Sequence, residues 1–324
     1  MVMRAWQLAG PGGPEVFTCV ERPVPAAEPG KVVIEVEGFG LNRSELFSRR
    51  GLSSPDFSFP RVLGLECAGR ILHPSDSDLQ SGARVVALMG GMGRSYDGSY
   101  ATHIVVPRSQ VFRAPEVPHL AAYPETYNTA VGVCLDNLQL VGTEKLLVRG
   151  GTSALGMAAI AIAKDLGCTV VATSRRPEKA RRLAETSPVD QVFVDGDDIA
   201  ERVLADTGPL DAVVDCVGSK AAVESSCRTM PRGGRLGMVG QLAESWGTDA
   251  PPHIPEGITH SFTRSDLIRS PDDDERVRKF LDKAAAGRYP SNVHAFFSFE
   301  DLPEAHRVME ANEAVGKLVV EVGC

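Results

Sequence analysis

The segment VRGGTSALG (148–156) places small residues at the spacing of a phosphate-binding turn. Gly151, Ser153 and Gly156 occupy the three positions of a G-x-G-x-x-G pattern, directly after a predicted strand and directly before a predicted helix. The first glycine permits a tight turn, and the last lets helix and strand approach closely. We expect the Ser153 hydroxyl to donate to a phosphate oxygen, while the helix N-terminus binds the negative charge with its N–H groups. An ordinary glycine-rich turn without a ligand is the alternative.

The end of the following predicted strand indicates which dinucleotide this turn would hold. A carboxylate there would bind the ribose hydroxyls of NAD, whereas a cation would accept the 2′-phosphate of NADP. Ser174, Arg175 and Lys179 offer a hydroxyl and positive charge, and no acid stands before the next helix begins. The sequence therefore predicts NADPH as the cofactor. The alternative is that the arginines only flank a solvated helix start.

Two patterns of secondary structure follow one another along the chain. Up to about residue 122, short β-prone runs alternate with glycine and proline, as in KVVIEVEG (31–38), ARVVALMG (83–90) and ATHIVVP (101–107). Beyond Pro124, strands alternate with helical patterns, which indicates a parallel sheet covered on both faces. The predicted strands are LLV (146–148), TVVAT (169–173), QVFV (191–194), DAVVDCV (211–217) and RLGMVG (235–240). Gly167 is the predicted end of one helix and Pro177 the start of the next.

The last part of the chain is expected to return to the first domain. It contains a charged helix (273–286), a strand VHAFF (293–297), a helix from Leu302 to about Asn312 and a strand KLVVEV (317–322). We expect a β-rich domain formed by 1–123 and 265–324, and a dinucleotide-binding domain formed by 124–264. The segment 242–262 is predicted to be a loop, which either borders the substrate cleft or is an ordinary connection stiffened by proline.

Composition excludes several function classes. The 34 basic and 42 acidic residues give a net charge of −8, which argues against a nucleic-acid or anionic-membrane binder. No apolar stretch is long enough to predict a membrane span or a signal peptide. The 7 cysteines are scattered and never spaced C-x-x-C, so they predict neither a disulfide framework nor a cysteine-rich zinc site. A cytoplasmic protein is expected.

Several segments, taken in order, resemble the medium-chain dehydrogenase/reductase superfamily, and within it the zinc-independent quinone oxidoreductase (zeta-crystallin-like) branch. The resemblance spans nearly the whole chain. It is carried by GLNRSELFSRRG (40–51), PRVLGLECAGRI (60–71), SGARVVAL (81–88), DGSYATHIVVP (97–107), TYNTAV (126–131), the turn at 150–156, LDAVVDCVG (210–218), PRGGRLGMVGQ (231–241) and AVGKLVVEV (314–322). It implies a fold class of α/β type, with a GroES-like β-rich catalytic domain and a Rossmann domain with a doubly wound parallel sheet.

The resemblance also implies roles for individual residues. Asn42 would lie close to the nicotinamide, and Phe47, the second candidate catalytic-site residue, stands where many members have a tyrosine, so that a hydroxyl contact to substrate would be lost. Ser174, Arg175 and Lys179 would read the 2′-phosphate. The other implied cofactor-binding residues are Thr129, Gly151, Thr152, Ser153, Ala154, Leu155, Gly156, Val217, Gly240, Gln241 and Lys317. Asn42 has a second interpretation, in which it caps the following helix and forms a capping box with Glu45.

The residues do not match the zinc sites of this superfamily. Asn42 replaces a cysteine ligand, Leu65 replaces the histidine before Glu66, and no cysteine occurs between Val85 and Pro115. No metal site is therefore expected. Without a Lewis acid, the acceptor must itself delocalise the transferred charge, as a quinone or a conjugated alkene does.

These expectations combine into one main hypothesis and two alternatives. The main one is NADPH-dependent reduction of a quinone-type small molecule. The first alternative is reduction of α,β-unsaturated ketones, aldehydes or enoyl thioesters, for which Arg43, Arg49 and Arg50 would form either a basic entrance or a solvated helix face. The second is an NADPH-binding sensor or interaction protein with little turnover. The branch also implies a homodimer, formed through an edge of the Rossmann sheet at 235–240.

Overall fold

The chain divides into two compact units in the computed structural model. The structure describes residues 1–53, 57–240, 242, 251–263 and 272–323. One unit comprises Met1–Glu125, Ser265–Gly287 and Val293–Cys324, and the other comprises Thr126–Arg264 and Arg288–Asn292.

The N-terminal part of the first unit is built mainly from strands. Its elements are β1 (Val2–Leu8), β2 (Phe17–Pro23), β3 (Lys31–Gly40), α1 (Arg43–Arg49), β4 (Arg61–Val62), β5 (Glu66–His73), β6 (Arg84–Leu88), β7 (His103–Pro107) and β8 (Val111–Arg113). Short 3₁₀ turns lie at Pro14–Val16, Arg108–Gln110 and Leu120–Ala122. The three β-prone runs predicted from the sequence are thus present, as β3, β6 and β7.

The second unit alternates strands and helices. Its elements, with the helix that leads into it, are α2 (Pro124–Val131), a π-helical turn (Gly132–Asn137), β9 (Lys145–Arg149), α3 (Ala154–Leu166), β10 (Thr169–Ser174), α4 (Pro177–Thr186), β11 (Gln191–Val194), α5 (Ile199–Thr207), β12 (Ala212–Asp215), α6 (Lys220–Arg228), β13 (Arg235–Met238) and β14 (Thr259–Phe262). The strands form one parallel sheet in the order β11-β10-β9-β12-β13-β14. The order reverses beside β9, which makes the carboxyl ends of β9 and β12 the topological switch point.

The remaining elements are α7 (Asp272–Ala285), β15 (Val293–Ser298), a 3₁₀ turn (Phe299–Asp301), α8 (Leu302–Glu310) and β16 (Lys317–Glu321). β16 pairs antiparallel with β3, and β15 pairs parallel with β16, so both strands extend the sheet of the first unit. The seven-stranded sheet has the order β15-β16-β3-β5-β6-β8, with β7 also on β3, and β2-β1-β4 forms a separate sheet. The expected fold class, a β-rich unit plus a doubly wound parallel sheet, is confirmed.

Burial explains the character of the strands. β3 pairs with β5, β7 and β16 and is buried over most of its length, because it is the central strand of its sheet. In the parallel sheet, β12 is buried at every position and β10 at all but its first, as expected for strands covered on both faces. α3 is buried from Gly156 to Ala163 and ends at Gly167, whose φ of 97° requires glycine.

Two expectations about the end of the parallel sheet are corrected. β13 does not form the edge, because β14 pairs along its outer side from Arg235↔Thr259 to Met238↔Phe262. The same strand lies within the segment that we expected to be a loop. β14 was missed because its sequence, THSF, is short and mostly exposed and carries no apolar run.

Residues 288–292 group with the second unit, whereas the sequence placed them with the first. Three contacts account for this. The Tyr127 hydroxyl donates to the carbonyl oxygen of Pro290 (2.7 Å), the Tyr127 and Tyr289 rings stack at 5.1 Å, and Arg288 forms an ion pair with Asp165.

None of the helices described is long and apolar enough to cross a membrane.

Candidate active site

The predicted phosphate turn connects the end of β9 to the start of α3. A Cβ atom on Gly151 would lie 2.8 Å from Ala172 Cβ, and one on Gly156 would lie 2.6 Å from the carbonyl oxygen of Gly150. Both distances are too short for a side chain, so these two positions require glycine. The turn and the first residues of α3 are therefore packed closely, as expected for the first and last glycines of the motif.

Ser153 is the N-cap of α3 and uses its hydroxyl within the turn. Its Oγ donates to the carbonyl oxygen of Gly150 (2.9 Å) and accepts from the N–H of Gly156 (3.0 Å). A hydroxyl has one proton, so the expected donation to a phosphate oxygen is not available in this arrangement. Ala154 and Leu155 occupy the first two positions of α3, where backbone N–H groups have no intrahelical acceptor. These N–H groups and the helix dipole fit a pyrophosphate.

The three predicted readers of a 2′-phosphate lie between the end of β10 and the first turn of α4. Ser174 ends β10 and is buried, and its hydroxyl faces the carbonyl oxygen of Arg176 at 3.4 Å. Arg175 is exposed, and no acidic partner is found for it in the described part of the chain. Lys179 is half-buried on α4. The segment thus offers positive charge at the position where we expected it.

Val217 lies close to the phosphate turn, at the carboxyl end of the neighbouring strand. Its Cγ2 lies 3.4 Å from where a Cβ of Gly150 would be. Its N–H and that of Gly218 both donate to Asp215 Oδ1 at 2.8 Å. Burial raises the pKa of the Asp215 carboxyl, and these N–H donors and the Arg149 charge counteract the rise.

The remaining cofactor candidates of the second unit are more scattered. Gly240 follows β13, and a Cβ there would lie 2.5 Å from the carbonyl oxygen of Cys216, so only glycine fits. Thr129 is buried on α2. Gln241 lies outside the described residues. The structure therefore brings Val217 and the phosphate turn together, at the carboxyl edge of the sheet, where ligands bind in folds of this type.

The sequence did not predict an ion pair that lies beside this turn. Arg149, the last residue of β9, donates from Nη2 to both carboxylate oxygens of Asp195, at 2.9 and 3.0 Å. Asp195 directly follows β11. The only signal was an arginine immediately before the glycines of the motif, which by itself indicates nothing about its partner.

In the first unit, Asn42, Glu66 and Lys317 form a buried polar cluster. Lys317 Nζ lies 2.7 Å from Asn42 Oδ1 and 2.6 Å from Glu66 Oε1, and Asn42 Nδ2 donates to the same Glu66 oxygen at 2.9 Å. The second Glu66 oxygen accepts from the N–H of Glu125 at 2.7 Å. β3, β5 and β16 hold the cluster together, because Asn42 follows β3, Glu66 begins β5 and Lys317 begins β16.

The cluster bears on two sequence predictions. Asn42 is the N-cap of α1, and Glu45 completes the capping box by accepting from the Asn42 N–H at 2.7 Å. The helix-cap interpretation is realised in part, because Glu45 caps the Asn42 N–H while the Asn42 side chain bonds Glu66 and Lys317; a role near the nicotinamide stays a prediction. Lys317 was assigned to the cofactor, and its ammonium is held by Asn42 and Glu66 in the structure. Glu66 was noted only as the neighbour of a missing zinc ligand, and its place in the cluster was not foreseen.

Glu45 connects α1 to a second buried network. Its Oε1 accepts from the N–H of Leu65 (2.9 Å) and its Oε2 from the Tyr100 hydroxyl (2.5 Å), which in turn lies 3.0 Å from His306 Nε2. Arg49 Nη1 lies 3.1 Å from His306 Nδ1. Because arginine can only donate, His306 Nδ1 must accept and Nε2 must carry the proton. The hydrogen bonds then run from Arg49 through His306 and Tyr100 to Glu45.

Burial dominates the titration of this network. It raises the pKa of Glu45 to about 7, although hydrogen bonds from Tyr100 and the Asn42 N–H lower it. It depresses the pKa of His306 well below its ordinary value, and the neighbouring Arg49 charge adds to that effect. Glu45 is thereby tied to Asn42 on one side and to Leu65, next to Glu66, on the other.

The arginines near α1 do not form the basic entrance considered for an acyl thioester. Arg49 is buried and pairs with Glu310 at 2.8 Å, and Arg50 pairs with the same carboxylate. Arg43 donates to Asn312 at 2.8 Å. The solvated-face interpretation is also wrong for Arg49, which is 0% exposed.

Phe47 is half-buried on α1. Among the residues with a described position, no three His, Cys, Asp or Glu side chains come together as a metal site would require.

Family models match both units. An alcohol dehydrogenase GroES-like domain matches residues 28–116, and a zinc-binding dehydrogenase domain matches residues 154–264. Among solved structures, an NAD-dependent alcohol dehydrogenase superposes with a TM-score of 0.85 at 26% identity, over 99% of this chain and 100% of that one. The quinone oxidoreductase of Pseudomonas syringae has the same fold, with a TM-score of 0.85 at 21% identity, over 99% and 100% of the two chains.

Curated relatives include proteins of very different length. The polyketide synthase GfsB of Streptomyces halstedii is 30% identical over 98% of this chain, which spans only 6% of that protein. A zinc-type alcohol dehydrogenase-like protein of Schizosaccharomyces pombe is 26% identical, over 98% of this chain and 96% of its own length. The 2-haloacrylate reductase of a Burkholderia species is 24% identical, over 95% and 96% of the two chains.

Proposed function

The chain belongs to the medium-chain dehydrogenase/reductase superfamily of oxidoreductases, and from this premise we propose that it is a zinc-independent reductase that uses NADPH to reduce a quinone-type small molecule. The bound coenzyme supplies a hydride. The protein supplies binding and orientation, which are the usual contributions of an enzyme to cofactor chemistry.

Support for NADPH comes from the phosphate turn and the segment after β10. The N–H groups of Ala154 and Leu155 would hold the pyrophosphate. Ser174, Arg175 and Lys179 would hold the 2′-phosphate, and Arg175 is the exposed cation of the three. A carboxylate in this segment would favour NADH, and Glu178, which is the acid in it, pairs with Arg176 at 3.1 Å.

Support for a conjugated acceptor comes from the cluster around Asn42, which is the observation that carries the proposal. The cluster combines one carboxylate, one ammonium and one amide, and these groups satisfy one another at 2.6 to 2.9 Å. Their types do not offer a set of zinc ligands, because an amide stands at position 42 and a leucine at position 65. A quinone fits such surroundings, because it spreads the incoming charge over its own ring.

Reduction of activated alkenes is the second candidate, and the relation to a 2-haloacrylate reductase favours it. An α,β-unsaturated carboxylate or ketone has the same electronic requirement as a quinone. Enoyl thioesters belong to the same candidate, but Arg49 and Arg50 would not bind the phosphates of coenzyme A, since both are engaged by Glu310.

We also propose a homodimer and a cytoplasmic location. β14 is the edge strand of the parallel sheet, and Phe262 at its end is 49% exposed, so this edge offers backbone hydrogen bonds and apolar area to a second copy. A scattering mass near the monomer value of 34.6 kDa would contradict the dimer. The six cysteines within the described residues are unpaired, which fits a reducing compartment.

The experiment is an acceptor panel assayed with NADPH and with NADH. The panel contains a 1,4-quinone, 2-chloroacrylate, an enone and an enoyl thioester, and it is run with and without a zinc chelator. Rapid NADPH oxidation by the quinone, unaffected by the chelator, supports the proposal. Turnover of 2-chloroacrylate alone would favour the second candidate. Binding of NADPH without turnover of any acceptor would favour a sensor or interaction protein instead.

A further inference from the structure

Arg149 and Asp195 form a nearly buried, two-pronged ion pair at the carboxyl edge of the parallel sheet. Their side chains are 5% and 13% exposed. The guanidinium is held from its other side by α6, where Nη1 donates to Ser225 Oγ at 2.8 Å and faces Ser226 Oγ at 3.3 Å. Nη2 alone contacts both Asp195 oxygens while Nη1 is held by α6, so the guanidinium is fixed from two sides.

This pair is linked both to the phosphate turn and to the segment predicted to bind the 2′-phosphate. The Thr173 hydroxyl donates to Asp195 Oδ2 (3.3 Å) and accepts from the N–H of Gly150 (3.3 Å), the residue that begins the phosphate turn. The N–H of Asp195 donates to the carbonyl oxygen of Ser174 (2.8 Å), one of the predicted 2′-phosphate readers. The Asp195 carboxylate is therefore joined to Gly150 through the Thr173 hydroxyl, and the Asp195 backbone is joined directly to Ser174.

An acid at this point conflicts with the binding of a phosphate dianion. A carboxylate near the bound coenzyme repels a 2′-phosphate, because both groups are negatively charged. Low exposure makes the repulsion stronger, because water screens it poorly. Arg149 supplies the opposite charge at 2.9 Å and cancels the field of the carboxylate.

We propose that Arg149 determines coenzyme specificity by neutralising Asp195, which allows the adjoining segment at Ser174 to accept a 2′-phosphate. Arg149 is a positioning residue, since it acts through Asp195. The inference rests on the proposed use of NADPH and deepens it, because it explains how an acidic residue can stand next to the coenzyme phosphate.

The test compares the dissociation constants of NADPH and NADH in a mutant cycle. Arg149→Met exposes the ligand to an unbalanced carboxylate, so the ratio of the NADPH constant to the NADH constant should rise about tenfold. Asp195→Asn leaves an excess positive charge, so the ratio should fall below the wild-type value. The double variant Arg149→Met/Asp195→Asn should return it to within about twofold of wild type.

A matched control separates this electrostatic effect from loss of stability. Arg235 and Glu144 form an ion pair (2.6 Å) at the opposite, amino-terminal edge of the same sheet, with side chains that are 29% and 14% exposed. Arg235→Met should lower the melting temperature without changing the ratio of the two constants. If Arg149→Met does not fold, Asp195→Asn and the double variant carry the test by themselves.

The outcomes separate the proposed use of NADPH from the proposed role of Arg149. A wild-type preference for NADH would overturn the proposed coenzyme, whereas the direction of change in the variants tests Arg149 independently. A ratio that stays constant in Asp195→Asn, or that moves equally in Arg235→Met, would show that the pair only stabilises the sheet and would overturn the inference.

Discussion

Lys317 Nζ lies 2.6 Å from Glu66 Oε1, and the two side chains are 1% and 0% exposed. This ion pair joins the first strand residue of β16 to that of β5, across the central strand β3. A buried pair of this kind need not contribute net stability, but loss of one partner leaves the other charge unpaired.

Lys317→Met should therefore lower the free energy of unfolding by about 3–5 kcal/mol. The double variant Lys317→Met/Glu66→Gln removes both charges and should recover most of that loss. Urea unfolding of the three proteins measures the effect. A single variant as stable as wild type would show that the buried pair is not maintained in solution.

Glu45 should give the stability of the protein a defined pH dependence. Burial raises its folded pKa to about 7 from a reference value of 4.5, so the folded state binds this proton more tightly than the unfolded state. The resulting stabilisation is complete below about pH 4.5 and is lost as the pH rises through about 7. Glu45→Gln cannot titrate, so wild type should lose roughly 3 kcal/mol relative to it across this range.

His306 titrates in the opposite sense and serves as the internal check. Its folded pKa is depressed, so the unfolded state takes up its proton first and stability falls as the pH drops below about 6.5. Urea midpoints measured from about pH 5 to 8 contain both slopes, and subtraction of the Glu45→Gln curve isolates that of Glu45. A flat difference curve would contradict the raised pKa.

Asn42→Ala should affect stability as well as turnover, because the amide lies in the buried cluster. Loss of its hydrogen bonds to Glu66 and Lys317 should cost about 1–3 kcal/mol. Asn42→Ser keeps a helix-capping hydroxyl and should lose less. If the amide orients substrate or nicotinamide, both variants should lower kcat about tenfold or more while the Kd for NADPH changes less than about twofold. An unchanged kcat in both would leave Asn42 a purely structural role.

Ser153 separates two effects at the phosphate turn. Ser153→Ala keeps the Cβ but removes the N-cap, so the unfolding free energy should fall by about 1 kcal/mol. Ser153→Gly should lower the unfolding free energy by only about a few tenths of a kcal/mol. It also removes the Cβ from the central motif position, so NADPH should bind more tightly to it than to Ser153→Ala. Calorimetric binding of NADPH to the three proteins tests the order. Equal affinities would show that the Cβ does not face the coenzyme.

The elements with strong apolar patterns could be predicted from the sequence, and those without could not. α3 has buried apolar residues and a terminal glycine, so its position and its end at Gly167 were predicted, whereas the capping role of Ser153 was not. β14 has none of these signals. Its polar, exposed residues are placed by pairing with β13, which no local pattern reveals.

The candidate site divides in the same way. The glycines of the phosphate turn act within a few residues of one another, so spacing alone predicted them. The cluster of Asn42, Glu66 and Lys317 joins positions far apart in the chain, and the pairing of β3 with β5 and β16 brings them together. Arg149 and Asp195 are likewise united by the order of β9, β10 and β11. The sequence around each of these residues does not indicate its role, which depends on a partner that only the fold brings close.

The pairing of β16 with β3 also has a consequence for biosynthesis. β3 and Glu66 are synthesised before the parallel sheet of β9 to β14, whereas β16, which pairs with β3, and Lys317, which balances Glu66, are synthesised after it. The nascent N-terminal portion must therefore wait in an incomplete state while the continuous segment of β9 to β14 can already fold. β3 therefore keeps part of one edge unpaired until β16 has been made, and an unpaired strand edge is open to aggregation.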